Sequence, residues 1–338
     1  MCGMINLIEL GKGIGYNMRS WSLRFAAWFE KYMFAIIPMT LIIGIIFSEL
    51  FLPFVSWVPY LFGFVTFVMA LGCGLTHLKN VVYKPLPVFI TLLLAHVLTP
   101  LIAFALGAAL FGPSSDYTVG LVLFSIIPLG VSSVLWVGMS YGSVPLMLAM
   151  VVVDSALSPL TVPGLIELFF GAAIKFDTVS LMKDLLLIIV VPTVLGVAIY
   201  EISKGKFKAW SAPVTLPISK IFFAAVVLLN AAAIAPHIRT LETSVILVSI
   251  AVVLLVTLCY CIGFAGSYLM RNVSREIRVT MSYAAGMRNI SLGLVLAMGY
   301  FSPQAAIPVV LGIMVQQPLA TLHHVLLQRF VPVQKEEI

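Results

Sequence analysis

Along the chain, long apolar runs alternate with short polar breaks. Ten runs are of the length that crosses a bilayer as a helix, about 20 residues. They lie near residues 32–50, 55–75, 86–111, 118–140, 144–170, 181–202, 214–235, 243–270, 279–300 and 305–328. Ahead of the first run, Trp21, Phe25, Trp28 and Phe29 recur at helical spacing beside Arg19, Arg24 and Lys31. That pattern predicts a short helix lying in the membrane interface. The fold class is therefore an all-α polytopic membrane protein with ten transmembrane helices.

The two halves of the chain echo each other. Spans four and five read TVGLVLFSIIPLGVSSVLWVGMSYGSVPLMLAMVVVDSALSPL, and spans nine and ten read TMSYAAGMRNISLGLVLAMGYFSPQAAIPVVLGIMVQQPLATL. Each pair holds a helix interrupted by Gly and small or polar residues, at 129–133 and at 285–289. A tight turn then leads to an apolar helix carrying polar residues and Pro. Five spans is an odd number, so the second repeat inserts upside down. Inverted repeats with matched broken helices point to the central site of a secondary transporter. The predicted division is a cytoplasmic and interfacial segment 1–31, a five-helix repeat 32–170, a connecting loop 171–180, a second repeat 181–330 and a cytoplasmic tail 331–338.

Composition narrows the picture. The 338 residues are 62% apolar and 9% charged, where a soluble protein carries roughly 25% charged residues. A soluble enzyme and a disordered chain are both excluded. The net charge of +6 reads as a positive-inside signal, not a nucleic-acid footprint. With the N-terminus inside, fourteen Lys and Arg fall in inside segments, against Lys175, Lys183 and Arg239 outside. Both termini are thus expected in the cytoplasm and the protein in the plasma (inner) membrane. The cysteines Cys2, Cys73, Cys259 and Cys261 lack zinc-site spacing. No phosphate loop, dinucleotide fingerprint or metal motif is visible. No cofactor, metal or nucleic-acid partner is expected, and the oligomeric state is left open.

Candidate chemistry lies where polar residues sit at membrane depth. Arg288 is in the middle of span nine and Asp154 in the middle of span five. Such charges are costly and face a cavity or a partner, so the two are expected to meet, directly or through water. His96, in span three, reads as a packing residue or a proton relay. Gln316 and Gln317 precede Pro318 and should face the interior. Ser132, Ser133 and Asn289 sit at the breaks, where half-helix N-termini present N–H groups to an anion. Lys220 is near enough to its span end to reach the cytoplasm.

Several of these motifs together resemble the bile acid:sodium symporters in their ten-span bacterial form. They are Lys84-Pro85 with the later Pro100, the run Pro128-Leu-Gly-Val-Ser-Ser133, Tyr141-Gly142-Ser143, the stretch Pro159 to Pro163, and Gly286-Met287-Arg288-Asn289. The resemblance covers roughly residues 30 to 330. It implies a panel domain of spans one, two, six and seven. The core domain would hold spans three to five and eight to ten, with spans four and nine broken and crossing. It also implies sodium ligands that this chain has largely lost. Positions expected to hold Gln, Asn, two hydroxyls and Glu are Ala95, Val134, Met147, Val151 and Ala284, and a second Gln is Arg288. Only Ser133 keeps its oxygen. Sodium wants oxygen ligands, so the reading is of sodium machinery replaced by an Arg–Asp pair.

The expected function is transport of small organic anions by alternating access, without sodium. The carrier would be proton-coupled, an exchanger or a uniporter. Arg288, Asn289, Ser133, Ser132 and Gln317 would contact substrate, and Asp154, Arg288 and His96 would serve coupling. Sodium symport of bile acids or other organic acids, as in the family, is the first alternative, and a non-transporting membrane sensor the second. No nucleophile–base constellation suggests an enzyme.

Overall fold

The computed structural model describes residues 21–76, 85–171, 177–238 and 244–331. The beginning of the N-terminal segment, most of the connecting loop and the tail beyond Val331 lie outside the described residues, as does Lys84. What is described is helical, with no strand; one isolated antiparallel bridge joins Leu129 to Arg288.

Helix α1, Trp21–Lys31, meets the following helix at 82°. Its Trp21 and Trp28 are exposed, as suits an interfacial helix. Helix α2 spans Met33–Ile46. It stops earlier than the apolar run does, because Phe47 leaves helical geometry and Ser48 restarts the chain. Helix α3, Ser48–Ala70, carries a 3-10 turn over Leu52–Trp57 that accommodates Pro53.

Next come α4 (Pro85–Phe111), α5 (Asp116–Ile126), α6 (Ser133–Met139) and α7 (Val144–Phe170). The second half holds α8 (Thr178–Ser203), α9 (Lys206–Ile238), α10 (Ser244–Gly266), α11 (Arg275–Gly286), α12 (Ile290–Tyr300) and α13 (Pro303–Phe330). Seven of these, α3, α4, α7, α8, α9, α10 and α13, are each long and apolar enough to cross a membrane. Leu, Ile and Phe side chains on their outer faces are widely exposed, the surface a bilayer covers.

Two local devices position the site. In α4 the helix widens to a π turn over Leu94–Leu98, where the Thr99 N–H bonds the Leu94 carbonyl. In that i→i−5 register the Ala95 carbonyl falls to residue 100, which is Pro and has no N–H. The Ala95 carbonyl is thereby freed inside the protein. The second device is the pair of breaks, Ile127–Ser132 between α5 and α6 and Met287–Asn289 between α11 and α12. The two unwound strands lie against each other. The Gly130 N–H donates to the Met287 carbonyl at 2.9 Å, and the Asn289 N–H donates to the Pro128 carbonyl at 2.8 Å. A Cβ on Gly130 would stand 2.6 Å from the Arg288 carbonyl oxygen, so only glycine permits this approach.

Candidate functional site

Unwound backbone inside a membrane protein leaves N–H and C=O groups that need partners from the protein or from a cavity. Here side chains supply the missing partners. Asp154 on α7 accepts the Leu129 N–H at 2.6 Å through Oδ2. Gln316 on α13 clamps Arg288 from both sides. Its Oε1 accepts the Arg288 N–H at 2.8 Å and its Nε2 donates to the Arg288 carbonyl at 3.1 Å. The Ser133 hydroxyl bonds the Gly130 carbonyl.

The Arg288 side chain is 1% exposed. Its Nη2 donates to the freed Ala95 carbonyl at 2.8 Å and to Thr99 Oγ at 2.9 Å. Thr99 Oγ in turn donates to the same Ala95 carbonyl. Nε and Nη1 of Arg288 have no partner among the described residues. Asp154 Oδ1 lies 2.6 Å from His96 Nε2, within an ion-pair distance. Asp154 and Arg288, expected to meet directly or through water, share no direct hydrogen bond or ion pair among the described residues. The carboxylate is already filled by His96 and by Leu129, and the guanidinium is drawn to α4 by a carbonyl that the π turn exposes. Among the described Asp, Glu, His, Lys and Arg residues, Asp154, Arg288 and His96 are the buried ones.

In front of the breaks lies a cleft of about 800 Å³, counting its open mouth. One wall is α2, α3 and α9, with Met33, Ile37, Phe62, Val65, Phe223 and Val227; the other is the two breaks with α12 and α13. Neither α4 nor α7 contributes to it. Arg288 thus meets the cleft from a strand whose guanidinium is bonded to α4, which lies behind. Ser132, Asn289 and Gln317 line the cleft as expected contacts would, whereas Ser133 does not. The Gln317 amide is tied down, accepting from Trp136 Nε1 at 2.9 Å and donating to Ser132 Oγ at 3.4 Å. The Asn289 amide has no hydrogen-bond partner among the described residues.

Sequence reasoning missed three things. Thr99 was not singled out, although a Thr directly before an intrahelical Pro can cover a freed carbonyl. Lys220 lines the cleft and pairs with Glu30 on α1 at 2.6 Å, instead of reaching out to solvent. His323 and His324, near the end of α13, are hydrogen-bonded to Ser282 at 2.6 Å and to Ser140 at 2.7 Å. That joins α13 to α11 and to the end of α6.

Residues 59–238, just over half of the chain, match the Sodium Bile acid symporter family. The chain belongs to that family. Its members are membrane transporters of small organic molecules and not enzymes, and this chain is a multi-span transporter of that kind. A relative in Bacillus subtilis, the uncharacterized protein YbaS, is 34% identical over 87% of this chain and 95% of its own. A second from that organism is named an uncharacterized sodium-dependent transporter, YocS. It is 26% identical over 79% of this chain and 81% of its own length. The rice protein named a probable chloroplastic sodium/metabolite cotransporter, BASS1, is 26% identical over 89% of this chain and 70% of its own.

Proposed function

We propose that this member of the family carries small organic anions by alternating access without sodium. In this reading α2 to α7 form the first inverted five-span repeat and α8 to α13 the second, and α5–α6 and α11–α12 are discontinuous spans four and nine. The panel is α2, α3, α8 and α9. Both termini lie in the cytoplasm and the bilayer is the plasma membrane.

One observation carries the sodium-independent reading. The Arg288 guanidinium bonds the carbonyl of Ala95, the residue that stands where the family resemblance expects a sodium-ligating Gln. A fixed cation there leaves neither the room nor the negative field that a sodium ion needs. The Asp154–His96 contact at 2.6 Å supports proton coupling, since one proton can be held between carboxylate and imidazole. Asn289, Ser132 and Gln317 contact the substrate in the cleft.

A second reading, sodium symport, is favoured by the names of two relatives, each 26% identical to this chain. Uptake into proteoliposomes separates the two. Replacing sodium by potassium or choline should leave uptake nearly unchanged, while an inward proton gradient should raise it. A steep, saturable sodium dependence would overturn the proposal in favour of symport.

A further inference from the structure

Arg288 is bonded to α4 through Nη2 and its Nε and Nη1 are buried, so the cation nearest to being free for a molecule in the cleft is on α9. Lys220 lines the cleft with its side chain 13% exposed, and its ammonium is held 2.6 Å from Glu30, which is 35% exposed on α1. Among the residues lining the cleft, Lys220 and Arg288 are the charged ones. Much of the remaining wall is apolar. On the facing wall, Asn289 begins α12 without capping it, and its amide has no hydrogen-bond partner among the described residues. Ser291 follows in the first turn of that helix and also lines the cleft. The positive end of α12 favours an anion.

An ammonium in such a place needs a counter-charge. Glu30 supplies it, but from α1, a short helix set at 82° to its neighbour. A carboxylate that is about one-third exposed is replaceable by another carboxylate. We propose that Lys220 receives the carboxylate of the transported anion and that Glu30 occupies Lys220 when the cleft is empty. The anion displaces Glu30, and Asn289 holds the second carboxylate oxygen from the opposite wall. The apolar wall takes the body of the molecule, which selects monocarboxylates with a compact hydrocarbon part over di- or tricarboxylates. This rests on the organic-anion reading above and names the residues that recognise the anion.

The test is binding to the purified full chain in neutral detergent without anionic lipid. The probes are cyclohexanecarboxylate, phenylacetate, 2-methylbutyrate and octanoate, each beside its uncharged amide. Affinity is read by calorimetry and by melting-temperature shift. Wild type should prefer acid over amide by roughly tenfold or more, the scale of one charge-assisted contact. Lys220→Met should abolish that preference, and Lys220→Arg should keep most of it. Glu30→Gln removes the competing carboxylate and should tighten acid binding several-fold while leaving amide binding alone. Because Lys220→Met strands Glu30, the Glu30→Gln/Lys220→Met double variant is measured too and should show no acid preference. Retention of the preference without Lys220, or no gain with Glu30→Gln, overturns the proposal and leaves the transporter reading standing. If wild type binds none of the acids, the organic-anion reading falls and takes the proposal with it.

Discussion

The partnership of Asp154 is the most direct test of how the paired breaks are held. Its Oδ1 meets His96 Nε2 and its Oδ2 accepts the Leu129 N–H, both at 2.6 Å. A hydrogen bond to a charged group contributes about 1.5–3 kcal/mol. Removing one member of a buried charged pair costs about 3–5 kcal/mol. Asp154→Ala deletes both bonds and leaves the Leu129 N–H unpaired at membrane depth, so its loss should fall near the upper figure. His96→Ala removes the other member but leaves the carboxylate its Leu129 N–H, so its loss should fall near the lower figure of that range. In the double variant the His96–Asp154 bond is already gone, so the losses should fall short of their sum by about that bond's worth.

A second cycle uses Arg288→Gln with Asp154→Ala. These residues attract each other electrostatically but share no hydrogen bond. Their coupling should therefore be clearly smaller than that of His96 with Asp154. The assay is unfolding in mixed micelles, supported by melting temperatures at one fixed scan rate, because unfolding of such proteins is often irreversible. Additivity of His96 and Asp154 within about 0.5 kcal/mol would refute the contact. A larger coupling between Arg288 and Asp154 would show that the carboxylate belongs to the guanidinium.

Other outcomes follow from the same geometry. Gly130→Ala places a Cβ 2.6 Å from the Arg288 carbonyl and should part the breaks and abolish uptake. Gly164→Ala, which meets nothing within 4 Å, should be neutral or stabilise by about 0.5–1 kcal/mol; equal damage from both would remove close approach as the cause. Gln316→Leu leaves the Arg288 N–H and carbonyl without the amide and should lower the melting temperature and uptake more than Gln317→Leu does. Reporter fusions after residues 205 and 335 should read cytoplasm and one near 175 outside, as the charge count demands; a cytoplasmic signal at 175 would sink the ten-span topology.

The breaks were legible because their cause is local. Gly130 and Gly286 interrupt runs that would otherwise stay helical, and the unwound backbone falls within two residues of where those glycines place it. The burden on Gln316 was legible too, since an amide at that depth must find a partner. The pairing of Asp154 was not. Charge alone names Arg288 as the natural partner, and His96, a lone histidine 58 residues away, carries no pattern that ties it to α7. What decides the outcome is the π turn, which frees the Ala95 carbonyl and so competes for the guanidinium. The Thr99-Pro100 step hints at that widening, but a proline inside a helix more often only kinks it. The position of Lys220 in its span permits snorkelling; the carboxylate that holds it comes from α1, ahead of the first span.

A tethered cation has energetic consequences that a mobile one does not. Sodium entering with an anion cancels its charge and brings its own gradient to the cycle. A guanidinium fixed to the chain does neither, because it returns with the empty carrier. An anion moving inward alone then works against a negative interior, at about 2.3 kcal/mol per charge for each 100 mV. For a sodium-independent carrier this leaves outward movement, exchange for another anion, or entry with a proton. On the proposed reading Asp154 with His96 takes up that proton, and Asp154 contacts the break through the Leu129 N–H. The alternatives separate in proteoliposomes clamped with potassium and valinomycin. Proton-coupled uptake of a monocarboxylate by wild type should be nearly independent of potential and driven by a pH gradient. Asp154→Asn should retain exchange and lose pH-driven accumulation. Accumulation that survives in that variant would remove Asp154 from coupling and leave it as the clamp on Leu129 alone.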